Sequence, residues 1–150
     1  MGTGPSGLLT TAKDPSVPVR EKRSAQPDPP FDLDPGGLRA CIEACFACAQ
    51  ACTACADACL AEDAVSDLVE CIRADLDCAD MCEATGRFLS RYAGQPTNLV
   101  RAFLDTCAAA CRTCAETCEP HAAQHDHCAA CARACRECDG ACQDLLARLP

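Results

Sequence analysis

One run of cysteines limits this chain more than any other feature. Cys41, Cys45, Cys48, Cys52, Cys55 and Cys59 follow one another at alternating spacings of four and three. That is the 3.5-residue period of an inward-facing helical stripe. The residues between them are mostly alanine, with Glu43, Gln50 and Asp57 among them, and the run holds no glycine or proline. Alanine is the best helix former. The run is therefore expected to be a helix whose whole buried face is thiol. Leucine, isoleucine or valine would fill such a stripe with more volume, so the sulfurs are there for their chemistry.

The same pattern recurs three times. Asp34 and Pro35 make an N-cap followed by proline at the first helical position. Helix 1 is expected from about Gly36 to Leu60, with Leu38 extending its stripe backwards. Helix 2 is expected from Asp63 or Ser66, either one capping it, to about Tyr92, where Gly94 and Pro96 end it. Its stripe reads Leu68, Cys71, Asp75, Cys78, Cys82, Thr85, Leu89 and Tyr92. Helix 3 runs from about Thr97 to Pro120, with Val100, Leu104, Cys107, Cys111, Cys114 and Cys118 inward. Helix 4 begins between Pro120 and Asp126 and runs nearly to Pro150, with Cys128, Cys131, Cys135, Cys138, Cys142, Leu145 and Leu149 inward.

Four amphipathic helices with short connections imply an all-α fold, an antiparallel up-down-up-down four-helix bundle with a cysteine-lined core. Helix 1 alone strings its cysteines over about 27 Å. Antiparallel packing sorts the two ends. One collects Leu38, Phe88, Leu89, Tyr92, Val100, Phe103, Leu104, Leu145, Leu146 and Leu149, a hydrocarbon plug. The other collects Cys59, Cys71, Cys118 and Cys128, with His121, His125 and His127 close by. His121 and His125 are expected nearer the seam side of helix 4 than His127.

A length of 150 residues suggests one bundle domain, over 36–150, behind a flexible proline-rich tail over 1–35. Eighteen cysteines in so short a chain usually mean a secreted disulfide scaffold. Three features point instead to reduced thiols and a cytoplasmic location. The first residues lack a charged and then apolar leader. The chain is alanine-rich and helically periodic, whereas disulfide miniproteins are loop-rich. Thiols along one helix face have nearly parallel Cβ vectors, a poor start for a bridge. A net charge of -9 disfavours nucleic acid. No apolar run is expected to span a membrane.

Soft thiolates suit Cu(I), Zn(II) and iron–sulfur clusters. Charge helps to choose. When a buried thiol exchanges its proton for Cu(I), +1 replaces +1, and a thiolate can bridge two such ions. Zinc on four thiolates leaves -2, and the stripes offer no lysine or arginine to offset it. Iron–sulfur clusters need a loop to wrap them, yet pairs such as Cys45 and Cys48 continue helically. Cysteine as a small hydrophobe explains one or two buried thiols, not stripes of them on four helices. Cu(I) is the best match.

Three runs carry a family resemblance. They are Cys41-Ile-Glu-Ala-Cys45, then Cys71-Ile-Arg-Ala-Asp-Leu-Asp-Cys78-Ala-Asp-Met-Cys82, then His125-Asp-His-Cys128-Ala-Ala-Cys131. The chain resembles the cytosolic branch of the bacterial four-helix-bundle copper storage proteins over roughly 36–148. The resemblance implies storage of multiple Cu(I) ions per protomer, assembly into a homotetramer and copper entry at the histidine end. It makes every cysteine a candidate ligand: Cys41, Cys45, Cys48, Cys52, Cys55, Cys59, Cys71, Cys78, Cys82, Cys107, Cys111, Cys114, Cys118, Cys128, Cys131, Cys135, Cys138 and Cys142. His121, His125 and His127 are candidate mouth ligands or relays. A copper chaperone is a possible donor or acceptor. The long tail departs from the family pattern.

Asp75 holds a stripe position between Cys71 and Cys78. A carboxylate there is costly without hydrogen bonds or a charge partner. It is expected to accept thiol protons as the first Cu(I) ions bind, and to ligate copper transiently. Met81 flanks the stripe, where packing or a subunit contact is favoured over ligation. No nucleophile–base pair or phosphate loop suggests an enzyme. The competing functions are a thiol redox enzyme or sensor, with one or two reactive thiols of lowered pKa, and a zinc or iron–sulfur buffer.

Overall fold

A computed structural model describes residues 33–150. The described chain holds four long helices: α1 (Pro35–Leu60), α2 (Val69–Ser90), α3 (Thr97–Cys118) and α4 (Asp126–Leu146). Short 3-10 turns at Val65–Leu68 and Glu119–His121 precede α2 and α4. Each helix packs against two others, α1 and α3 both lying against α2 and α4. This is the expected up-down-up-down bundle, and its shared interior is the cysteine stripe of all four helices.

Local chemistry accounts for the helix ends. At the start of α1, Asp34 Oδ2 accepts the Gly37 N–H at 2.7 Å, with Pro35 at the first position. The α2–α3 corner turns at Gly94, whose φ of 88° suits a residue without Cβ. Gln95 closes that corner, its Oε1 accepting from Ala93 N and its Nε2 donating to the Arg91 carbonyl. The expected cap of α2 is corrected. Neither Asp63 nor Ser66 caps it, because the 3-10 turn runs straight into the helix and no side chain caps Leu68. Leu68, 1% exposed, is buried there, and burying it fixes the turn.

The closed end packs as hydrocarbon. Leu89, Val100, Leu104 and Leu145 are at most 1% exposed. Phe88 and Phe103 stack with ring centroids 4.1 Å apart. Leu38, Tyr92 and Leu146 pack around this group, and Leu149 seals it. Leu33 is buried here as well, a contact that the sequence pattern does not announce. Residues 1–32, and with them nearly all of the expected tail, lie outside the described residues. Arg148 Nη1 donates to the same Asp34 Oδ2 at 2.6 Å, tying the chain's last turn to its first helix.

The membrane expectation needs adjusting. By length and composition α1 is apolar enough to cross a bilayer, with a mean hydropathy of 1.2. That apolarity comes from its cysteines and alanines, and all six cysteines are buried inside the bundle. The stripe is thus explained by packing against α2 and α4.

Replacing Asp34 with alanine removes both the cap and the Arg148 contact. Asp34→Ala is expected to lower unfolding free energy by about 1 kcal/mol, and Asp34→Asn by less. Urea denaturation of the reduced, metal-free protein, followed by circular dichroism, measures both.

Candidate metal centre

The helical period turns every cysteine inward. All eighteen are free thiols and none is more than 1% exposed. Their sulfurs form a continuous network. At the closed end Cys41 meets Cys142 at 3.8 Å, and Cys45 meets Cys107 and Cys138 at 3.9 and 3.8 Å. In the middle Cys48 lies 3.7–4.0 Å from Cys52, Cys78, Cys111 and Cys135. Cys82 reaches Cys111 at 3.5 Å, and Cys131 reaches Cys52 at 3.5 Å and Cys114 at 3.8 Å. Near the mouth Cys71 contacts Cys118 and Cys128, and Cys55 contacts Cys59 and Cys128.

These contacts gather into groups of four donors whose atoms all lie within 4.8 Å of one another. Among them are Cys45, Cys107, Cys138, Cys142; then Cys48, Cys82, Cys111, Cys138; then Cys48, Cys52, Cys78, Cys135; then Cys52, Cys114, Cys131, Cys135. Successive groups share Cys138, Cys48, Cys52 and Cys135. With a metal–sulfur bond of about 2.3 Å, three thiolates around one ion sit about 4.0 Å apart and four about 3.8 Å. The array already has that spacing. Spacing alone admits zinc or copper, so charge decides between them. Among the described residues no lysine or arginine is buried, and a row of doubly negative zinc sites would stand uncompensated.

Among the described residues Asp75 is the one charged residue in the core, 0% exposed. Its Oδ1 accepts from Cys114 at 3.1 Å, Cys131 at 3.1 Å and Cys118 at 3.3 Å. Its Oδ2 is buried and finds no hydrogen-bond partner among the described residues. Burial disfavours the charged form, and Cys131 adds to that, so the carboxyl is pushed up to about 8. An orphaned oxygen beside three thiols suits a group that takes a proton or meets a cation.

At the mouth, His127 Nδ1 lies 3.5 Å from Cys55 Sγ, 3.7 Å from Cys59 Sγ and 3.5 Å from Cys128 Sγ. Those four residues make a fifth donor group. Burial pushes the Cys59 thiol up to about 11 and raises Cys128 as well. The expected order of the histidines is reversed. His125 precedes α4 in extended backbone, φ -133°, so helical periodicity does not aim its ring, which lies 3.2 Å from Glu62 Oε1 instead. His121 sits in the 3-10 turn, and among the described residues its ring makes no hydrogen bond. Glu62, which accepts from His127 and lies against His125, escaped the sequence reading. The available signal was an acidic residue placed just beyond the C-terminus of α1, at the thiol-bearing end. Met81 lines an apolar surface groove with Leu99 and Phe103.

A buried, overlapping thiol array on a four-helix bundle defines a class of polynuclear soft-metal proteins. The copper storage protein family matches residues 35–147. The chain belongs to the copper storage protein family. It is 55% identical to a cytosolic copper storage protein from Streptomyces lividans solved with five coppers, over 77% of this chain and 96% of that one, with a TM-score of 0.75. The copper storage protein from Streptomyces lividans loaded with 10 copper equivalents matches at 50% identity over 86% of this chain and 98% of that one, with a TM-score of 0.78. A Cu(I)-bound copper storage protein of Bacillus subtilis matches at 35% over 73% of this chain and 98% of that one, with a TM-score of 0.66. An uncharacterized cysteine-rich protein of Bacillus subtilis strain 168 is 37% identical over 108 residues, 72% of this chain and 94% of that protein.

Asp75 gives the metal-free bundle a pH signature. Its folded pKa of about 8 exceeds the ordinary value of 3.8. The stability it leaves intact below the unfolded pKa is lost as pH rises towards the folded one. Between pH 5 and pH 8 the wild type should lose roughly 1 kcal/mol per pH unit relative to Asp75→Asn. Anaerobic urea denaturation of both proteins measures this, and a pH-independent difference contradicts it.

Proposed function

We propose that this chain stores and detoxifies Cu(I) in the cytoplasm, holding multiple ions per protomer on its core cysteines, and that it is not an enzyme. The overlapping four-sulfur groups carry this reading. Because neighbouring groups share sulfurs, each ion added finds a thiolate already placed to bridge it to the last. Each replaces a proton, so the interior fills without gaining charge. Thiols this deeply buried suit storage better than redox exchange, which needs an accessible thiolate. The metal contents of the Streptomyces and Bacillus relatives, and the cytosolic description of the Streptomyces one, agree with it.

Copper enters at the histidine end, where His127 stands against Cys55, Cys59 and Cys128. His121 and His125 flank that mouth as accessory ligands or relays. Asp75, reached by three thiols, accepts protons as the first ions bind and ligates copper transiently. The physiological assembly is a homotetramer, as the family resemblance implies, and a copper chaperone supplies or removes the ions.

An anaerobic Cu(I) titration of the reduced protein against a chromogenic chelator, with Zn(II) in parallel, tests the proposal. Tight Cu(I) uptake in numbers comparable to the eighteen thiols is expected. Uptake of one or two ions, or a preference for zinc, would overturn it. In stopped-flow loading Asp75→Asn is expected to slow the earliest phase several-fold and leave the final capacity nearly intact. Unchanged kinetics would remove Asp75 from the loading path.

A further inference from the structure

Glu62 lies two residues beyond the last residue of α1, its N–H donating to the Cys59 carbonyl at 3.2 Å. A carboxylate just past a helix C-terminus opposes the helix dipole, and the last turn of α1 carries no basic residue to offset it. Two imidazoles stand against it there. Glu62 Oε1 accepts from His127 Nε2 at 3.0 Å, and His125 Nδ1 lies 3.2 Å from the same oxygen. The side chains of His125 and His127 are 18% and 20% exposed, against 36% for Glu62, so the carboxylate lies over the rings on the solvent side.

An ionised carboxylate only accepts hydrogen bonds. The His127 nitrogen facing it, Nε2, must therefore carry the proton. In the neutral ring this leaves a lone pair on Nδ1, the atom that faces three thiols. The reverse tautomer would set a bare Nε2 against an anionic oxygen and turn an N–H towards the place a cation must reach. The His125 ring, 3.2 Å from the same oxygen, packs against the carboxylate beside the His127 bond.

We propose that Glu62 is a positioning residue that selects the Nε2–H tautomer of His127 and holds its Nδ1 lone pair toward Cys55, Cys59 and Cys128, ready for a soft monovalent cation. The inference rests on the storage reading for its cation and on geometry alone for its tautomer. Glu62 itself need not touch the metal. A carboxylate behind a ligating imidazole orients the ring and raises its basicity, and removing it typically weakens metal binding 10-fold to 100-fold.

The test has two arms. The first is nitrogen-15 NMR of the histidine rings in the reduced, metal-free full chain at about pH 8. Wild-type His127 should show an unprotonated Nδ1 and a protonated Nε2. Glu62→Gln, which keeps an acceptor oxygen, should preserve that pattern, and Glu62→Ala should give mixed tautomers. The second arm is the affinity of the first Cu(I) ion. It should fall about tenfold in Glu62→Ala and stay within about threefold of wild type in Glu62→Gln. A wild-type His127 protonated on Nδ1, or an alanine variant with unchanged tautomer and first-ion affinity, would overturn the proposal. If the wild type binds no Cu(I), the storage reading fails by itself, and the wild-type spectrum still decides the tautomer.

Discussion

A buried sulfur array has to stay electrically neutral, and most of this structure follows from that. Eighteen thiols share one buried interior, and among the described residues no cationic side chain is buried with them. As thiols they are apolar enough to pack. As bare thiolates they would be ruinously charged. Only a cation that replaces each proton one for one converts the first state to a metal-filled one without changing the interior's charge. The single exception, Asp75, fits the same constraint. Its carboxyl is driven towards the neutral form by burial, and three thiols converge on one of its oxygens.

The bundle separates what holds it together from what it does. Leucine, valine and the stacked Phe88–Phe103 pair fill one end, where burial of hydrocarbon contributes roughly 25 cal/mol per Å². The Asp34–Arg148 contact ties the two ends of the described chain together there. Sulfur occupies the middle, spaced by four rigid helices at metal-bridging distances. Imidazole and carboxylate stand at the other end, partly exposed. A site spread over helices is set by backbone packing, so the donors stand in place before any ion arrives.

Much of this was legible in the sequence, because the 3.5-residue period of the cysteines leaves one arrangement in which all of them face inward. The helix count, the inward stripes, the hydrocarbon plug and the oddity of Asp75 all follow from that period. What the period does not govern was misread or missed. The start of α2 is set by a 3-10 turn around Leu68, not by a cap residue. His125 leads into α4 in extended backbone, so periodicity ranked the wrong ring beside the thiols. Glu62 and Leu33 lie outside the periodic helices, and their contacts come from tertiary packing that no local pattern encodes.

The most direct measurement is a crystal structure of the Cu(I)-loaded protein, with anomalous scattering collected at the copper edge. The account predicts a row of copper peaks along the bundle axis, each between sulfurs of two or more helices, over a backbone that superimposes on the metal-free one. One or two peaks confined to the surface, or helices rearranged to reach the metal, would contradict a preformed thiol store.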